Sequence, residues 1–223
     1  MINPFFKNTG PHNINFLLKT INLKNYNLPD DVITDIKDLN SSQKNEITFF
    51  HSKRYADIAK KTKASYCLTS KNFQSFLPSN CKAIISDKVL LHTAQVTKIF
   101  YPNSITDDYD NTVKDIDETE FKDKVKFGKN VLIGENVKIG ANCLIGHNSI
   151  IEKNVDIADN CSIGSNVIIR NSLIKNNVNI LDGCVIGKKG FGFFPNKDSN
   201  FRFPQIGIVI IEDNVEIGCG STI

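Results

Sequence analysis

Between Val131 and Ile169 the chain reads V-L-I-G-E-N-V-K-I-G-A-N-C-L-I-G-H-N-S-I-I-E-K-N-V-D-I-A-D-N-C-S-I-G-S-N-V-I-I, and this stretch decides the fold. Stepping by six from Phe121 meets Phe127, Ile133, Ile139, Ile145, Ile151, Ile157, Ile163 and Ile169, a large apolar residue every time. After one five-residue step to Ile174 the period resumes at Ile180 and Ile186; beyond a long interruption it returns at Ile211, Ile217 and Ile223. An amphipathic helix would alternate spacings of three and four. A fixed period of six instead implies one structural unit stacked on copies of itself, the signature of a parallel β-helix.

Two further positions of the repeat carry structural information. Two residues before each large one stands Val125, Val131, Val137, Cys143, Ser149, Val155, Cys161 or Val167, small or β-branched and expected to point inward near a corner. Three residues after it stands an asparagine at each of Asn130, Asn136, Asn142, Asn148, Asn154, Asn160 and Asn166. Asparagine tolerates positive φ better than other non-glycine residues, so a left-handed backbone turn is expected in every repeat. Gly128, Gly134, Gly140, Gly146 and Gly164 directly follow the large residue, where a tight turn benefits from a missing Cβ. With 18 residues per coil, Cys143 and Cys161 stack about 4.8 Å apart, as thiols in a reducing cytosol.

Outward from the repeat the organisation is simpler. Residues 102–120 are rich in Asp, Asn, Thr and Ser and read as a linker or irregular lead-in coil. Residues 1–101 form a separate region. Phe16 to Leu23 suits a short amphipathic helix, and the β-rich runs Ile47 to Phe50, Ser65 to Thr69 and Ala83 to Ser86 alternate with helix-like Tyr55 to Lys61 and Leu90 to Phe100. The expected architecture is mainly β: a small α/β domain (1–101), the linker (102–120), then a β-helix over 121–223 with an inserted loop at 187–208 and an incomplete C-terminal end.

Composition excludes several classes. The 223 residues are 40% hydrophobic and 23% charged with a formal net charge of +3, which gives neither the basic stripe of a nucleic-acid binder nor an acidic tail. Met1 to Gly10 lacks the basic and apolar regions of an export signal, and no apolar run reaches the roughly 18 residues of a transmembrane segment, so a cytoplasmic location is expected. The cysteines Cys67, Cys81, Cys143, Cys161, Cys184 and Cys219 form no C-x-x-C pair and have no histidine at zinc-ligand spacing. They read as small core residues, and neither metal nor cofactor is expected.

The interruption narrows the reading. It runs Gly187-Lys188-Lys189-Gly190-Phe191-Gly192-Phe193-Phe194-Pro195, and the return contains Phe203-Pro204-Gln205-Ile206-Gly207 followed by Val209-Ile210-Ile211-Glu212-Asp213-Asn214-Val215-Glu216-Ile217-Gly218. This resembles the D-G-F-G-(F/Y) loop and P-Q-x-G-x-V-x-I-x-x-x-V-E-I-G return of the UDP-3-O-acylglucosamine N-acyltransferases of lipid A assembly. Asn45 to Tyr55 (N-E-I-T-F-F-H-S-K-R-Y) is similar to that family's N-x-I-(S/T)-F-L-x-N-P-K-Y segment. The resemblance also implies the left hand of the β-helix, which departs from the right-handed crossover rule.

From the resemblance follow the remaining expectations. The family's aromatic pair that sandwiches uracil maps onto Phe49 and Tyr55, with Ser52 at the usual Asn position. Gly190, Phe191 and Gly192 would wall the acceptor cleft; Lys189 stands where the family has Asp. The bland alternatives are core aromatics at Phe49 and Tyr55 and a self-packed loop at Phe191. The implied reaction moves a 3-hydroxyacyl chain from acyl carrier protein to the 2-amino group of UDP-3-O-acylglucosamine, in a homotrimer. The family's catalytic histidine lies beyond Ile223, so no catalytic residue is expected here and the chain alone would bind the nucleotide sugar weakly without turning it over. His147 precedes the loop and does not fit the base; His12, His51 and His92 read as surface or local hydrogen-bonding residues. Two rivals remain: another hexapeptide acyl- or acetyltransferase, and a non-catalytic UDP-sugar-binding or scaffold protein.

Overall fold

The computed structural model describes residues 3–23, 26, 28–121, 125–195 and 200–223, which divide into two compact units. One comprises 107–190 and 205–223 together with residues 3–5; the other comprises 6–106 and 191–204.

In the first unit each six-residue repeat contributes a two- or three-residue strand, and the strands stack as three parallel sheets, the faces of a triangular coil. One face stacks Lys138–Ile139, Asp156–Ile157, Ser172–Ile174 and Val209–Ile211. The second stacks Lys126–Phe127, Leu144–Ile145, Ser162–Ile163, Asn179–Ile180 and Glu216–Ile217. The third stacks Leu132–Ile133, Ile150–Ile151, Ile168–Ile169 and Val185–Ile186. Registers follow the sequence period: Ile139 pairs with Ile157 and Ile145 with Ile163, one 18-residue coil on. The five-residue step shortens one coil, so Ile157 pairs with Ile174, and the insertion lengthens the next, so Ile174 pairs with Ile211.

Hydrophobic burial holds this stack. Ile145, Ile151, Ile163, Ile169, Ile180 and Ile186 are wholly buried, each worth about 1.5–3 kcal/mol against exposure. Their inward companions Val131, Val155, Cys161, Val167, Val178 and Cys184 fill the corners. The thiols do more than fill space: Sγ of Cys143, Cys161 and Cys184 donates to Ala158 O, Lys175 O and Gly218 O of the next coil, each at 3.1 Å. All six cysteines are free, and Cys219, expected in the core, is exposed.

The asparagines have φ between 56° and 62° at all seven positions from Asn130 to Asn166, as the repeat predicts. They also form amide ladders, Asn130 Nδ2 donating to Asn148 Oδ1 at 3.0 Å and Asn142 to Asn160 at 3.1 Å. The glycines after the large residue have a different reason from the one expected. Their φ is not positive; instead a Cβ at Gly134 would lie 2.4 Å from Lys153 N, and one at Gly146 2.5 Å from Gly164 C. Close approach of the next coil excludes a side chain there.

Residues 102–120, expected as a linker, are ordered into both units. Pro102–Ser104 forms a 3-10 turn, while Lys114–Asp115 pairs antiparallel with Leu132–Ile133. Asp110, almost wholly buried, accepts from Lys153 N at 2.7 Å and from Thr112 N and Oγ1 at 3.0 and 2.8 Å. Burial works against its charge, but these hydrogen bonds outweigh it and hold the carboxyl below the usual aspartate range. Lys188 Nζ to Asp107 Oδ2 at 2.6 Å adds a second tie.

The second unit carries a four-stranded parallel sheet, Asp35–Ile36, Glu46–Phe50, Tyr66–Thr69 and Lys82–Ile85, paired in chain order. Short crossovers join the strands, and the helix Val89–Phe100 follows the last. Phe50 is wholly buried with Leu39, Ala59, Ala64, Cys67 and Cys81. The first helix runs Ile14–Thr20, starting two residues earlier than expected because Asn13 caps it, its Oδ1 accepting from Asn15 N and Phe16 N. The hairpin Phe193–Phe194 with Phe201–Arg202 packs in this unit, Lys98 Nζ lying 5.8 Å from the Phe201 ring.

Candidate functional site

The strand Glu46–Phe50 sets the geometry of the candidate site. Side chains alternate across a strand, so Phe50 enters the core while Phe49, half-buried, points to the opposite face. His51, two residues on, lies against Phe49 with ring centroids 6.0 Å apart and planes 23° apart. A 3-10 turn, Lys53–Tyr55, follows and brings Tyr55 back to His51 at 5.7 Å, so three rings form one row. Phe49 and Tyr55 are half-buried, and Tyr55 packs in part against the core cluster of Phe50, Ala59 and Cys67.

His51 is the residue that sequence reasoning missed. Its expected surface position holds, since it is exposed; its place against both Phe49 and Tyr55 is what the sequence did not show. The spacing F-x-H held the signal, since alternate strand residues share a face.

Ser52 starts the 3-10 turn in extended conformation, φ −143° and ψ 134°, and its hydroxyl makes no capping bond. Arg54 also contacts Tyr55: its guanidinium carbon lies 5.0 Å from the ring centroid, and Nη2 donates to the Tyr55 hydroxyl at 2.6 Å.

The loop residues are placed differently. Phe191 is 93% exposed, touching Phe193 edge-on at 5.7 Å, so it is not buried in a self-packed loop. Phe194 and Phe203 do stack on each other, at 5.5 Å. Gly190 and Gly192 have no positive φ, and a Cβ at either would meet only ordinary contacts at 3.5 and 3.6 Å. Gly187, in contrast, has φ +74° and a Cβ there would lie 1.7 Å from Arg170 O, so the chain can leave the solenoid at this point only through glycine.

The other histidines have structural employment. His147, exposed, accepts Lys129 N at Nδ1, 2.7 Å, one rung of a corner ladder that continues with His147 N donating to Ser165 Oγ and Ser165 N to Asp182 Oδ1. His92 Nδ1 meets the Ser86 hydroxyl at 2.7 Å, and burial and then Lys88 lower its affinity for a proton. His12 packs on Phe100 at 4.9 Å. Two open clefts of about 670 and 590 Å³ flank the first coil, lined by groups such as Asp115, Asp117, Lys129 and Glu135; neither contains a histidine. Among the described residues no cluster of three His, Cys, Asp or Glu side chains is arranged to hold a metal ion, and no helix is long and apolar enough to cross a membrane.

With this geometry in place, comparison with known proteins is informative. Residues 30–99, which contain the aromatic row, match the family model described as UDP-3-O-(3-hydroxymyristoyl) glucosamine N-acyltransferase, LpxD. Residues 112–190 match the model of the GMPPB C-terminal domain, so the repeats by themselves do not separate families. A UDP-3-O-acylglucosamine N-acyltransferase from Granulibacter bethesdensis is 34% identical over 98% of this chain and 64% of its own length. One from Rickettsia prowazekii is 32% identical over 44% of this chain and 29% of its own. One from a Synechococcus strain is 54% identical over 35 residues, 16% of this chain and 10% of its own. The chain spans less than two thirds of the length of each of these relatives. Along the residues it contains, the chain is similar to UDP-3-O-acylglucosamine N-acyltransferases, and its match to the LpxD model lies in residues 30–99.

Proposed function

We propose that the α/β unit of this chain holds the uridine end of UDP-3-O-acylglucosamine. The full machinery would transfer a 3-hydroxyacyl chain from acyl carrier protein to the sugar's 2-amino group, in the cytoplasm. The observation that carries this reading is the row Phe49–His51–Tyr55 inside the segment matching the LpxD model. Stacking on such rings is worth about 1–3 kcal/mol per base, and the uncommitted Ser52 hydroxyl can exchange a hydrogen bond with a pyrimidine edge. Phe191, exposed on its loop with Gly190 and Gly192 beside it, is proposed to wall the acceptor cleft.

Amine attack on a thioester requires a proton acceptor near neutral pH and donors for the oxyanion. With His12, His92 and His147 engaged and His51 set in the aromatic row, no base is assigned among the described residues. On this reading the 223-residue chain binds nucleotide and does not turn over. The same observation favours, as second reading, a non-catalytic UDP-sugar binder.

A homotrimer is proposed from the third face of the coil. Its outward side chains are Leu132, Ile150, Ile168 and Val185, all apolar, while the other two faces mix apolar with polar residues, Lys138, Asp156, Leu173 and Ile210 on one and Lys126, Leu144, Ser162, Asn179 and Glu216 on the other.

Two measurements test these readings. Titration with UDP, CDP and GDP should show UDP preferred, with the preference reduced in Ser52→Ala; equal binding of all three contradicts a uracil site. Offering hydroxyacyl carrier protein and acetyl-CoA separately to a protein of the relatives' full length should give transfer only from the first. Transfer from acetyl-CoA would favour a different hexapeptide acetyltransferase.

A further inference from the structure

The aromatic row ends in charge, and nothing so far accounts for it. Tyr55 neighbours both His51, with ring centroids 5.7 Å apart, and the Arg54 guanidinium, whose carbon lies 5.0 Å from its ring centroid. Arg54 is fully exposed, yet its direction is set, because Nη2 donates to the Tyr55 hydroxyl at 2.6 Å while the planar group covers the ring. A guanidinium has five N–H donors in a rigid fork that matches phosphate oxygens, and the Tyr55 bond commits only one of them. Neither Arg54 nor His51 pairs with a carboxylate among the described residues; the nearest acid in sequence, Asp57, is taken by Lys60 at 2.9 Å.

We propose that Arg54, oriented by Tyr55 and assisted by the imidazole of His51, is the recognition element for the diphosphate of the nucleotide sugar. The inference rests on the uridine reading and goes beyond it. Base stacking against the Phe49–His51–Tyr55 row would place the nucleoside. The fork at the end of the row would then grip the phosphates in charge-assisted hydrogen bonds, which are stronger than neutral ones. The site therefore distinguishes a nucleoside diphosphate from a nucleoside, and the protein recognises its substrate by charge as well as by base.

The test is a comparison of UDP with uridine as ligands of the 223-residue chain, by calorimetric titration. Wild type should bind UDP at least about tenfold more tightly than uridine, as expected from one or two charge-assisted bonds. Arg54→Gln should abolish most of that ratio while leaving uridine affinity within about twofold. His51→Asn should reduce the ratio by a smaller factor, and Arg54→Lys should restore only part of it, because an ammonium lacks the planar fork. Raised salt should erode UDP binding in wild type but hardly in Arg54→Gln. Equal affinity of wild type for UDP and uridine, or an unchanged ratio in Arg54→Gln, overturns the proposal. Circular dichroism of the variants verifies that they fold. If wild type binds neither ligand, it is the uridine reading that fails; if it binds both without regard to Arg54, only the present inference does.

Discussion

The solenoid and the α/β unit are stabilised in different ways. In the solenoid almost every contact joins residues one coil apart: Ile145 touches Ile163, Asn130 meets Asn148, and Gly128 approaches His147. Stability in such a stack is close to a sum of coil and nearest-neighbour terms. In the α/β unit the sheet joins distant segments, Tyr101 donating to Asp35 across 66 positions and Tyr66 to Asp31 across 35. Phe50, wholly buried among Leu39, Ala59, Ala64 and Cys67, lies on the same strand as Phe49 and faces the core. The solenoid can therefore absorb a local defect, whereas the α/β unit holds or loses its site as a whole.

The sharpest way to break that contrast is a pair of core truncations. Phe50→Ala should cost about 3–5 kcal/mol and abolish UDP binding, since Phe50 packs on Phe73 at 5.1 Å and underlies the site. Ile163→Ala should cost about 2–5 kcal/mol in the solenoid yet leave UDP affinity unchanged. Thermal unfolding and UDP titration of both variants check this; loss of UDP binding in Ile163→Ala would show that the units are not energetically separate.

A smaller effect separates the two roles of the corner asparagine. Asn148→Ala places a side chain without a local hydrogen bond at φ 57° and should cost about 1–2 kcal/mol. Asn148→Gly keeps the backbone turn and loses only the ladder to Asn130, so it should be measurably more stable than the alanine variant by chemical denaturation. Equal stability would mean that the amide ladder, not the positive φ, selects asparagine.

The smallest effect concerns acid. Because the Asp110 carboxyl is held below its ordinary value, its contribution is fully present above the unfolded pKa of about 3.9 and is lost as pH falls through the lower folded value. The unfolding temperature of wild type should drop more steeply below about pH 4 than that of Asp110→Asn. Parallel curves would remove Asp110 from the lock between the lead-in segment and the coil.

How much of this was legible follows from the same contrast. A period of six writes the solenoid into the sequence repeatedly, so inward isoleucines and positive-φ asparagines could be assigned residue by residue. The glycines were located correctly but for a different reason, since close approach of a neighbouring coil is a property of the stack and not of any local stretch. In the α/β unit Phe49, Ser52 and Tyr55 were reached through family resemblance alone. His51 and Arg54 escaped because their importance comes from a turn that folds Tyr55 back along the strand, and no spacing rule encodes that return. The apolar third face was equally hidden, because it becomes visible only when Leu132, Ile150, Ile168 and Val185 are lined up by coil register.

The central claim is that the Phe49–His51–Tyr55 row is a uridine-nucleotide site, and titration of UDP into the 223-residue chain and its Phe49→Ala variant tests it most directly. Half-buried and facing away from the core, Phe49 can be removed without unfolding the unit, which circular dichroism would verify. The account predicts saturable UDP binding by wild type and a loss of about tenfold or more in the variant, the worth of one stacked base. Indistinguishable isotherms for two equally folded proteins would contradict it.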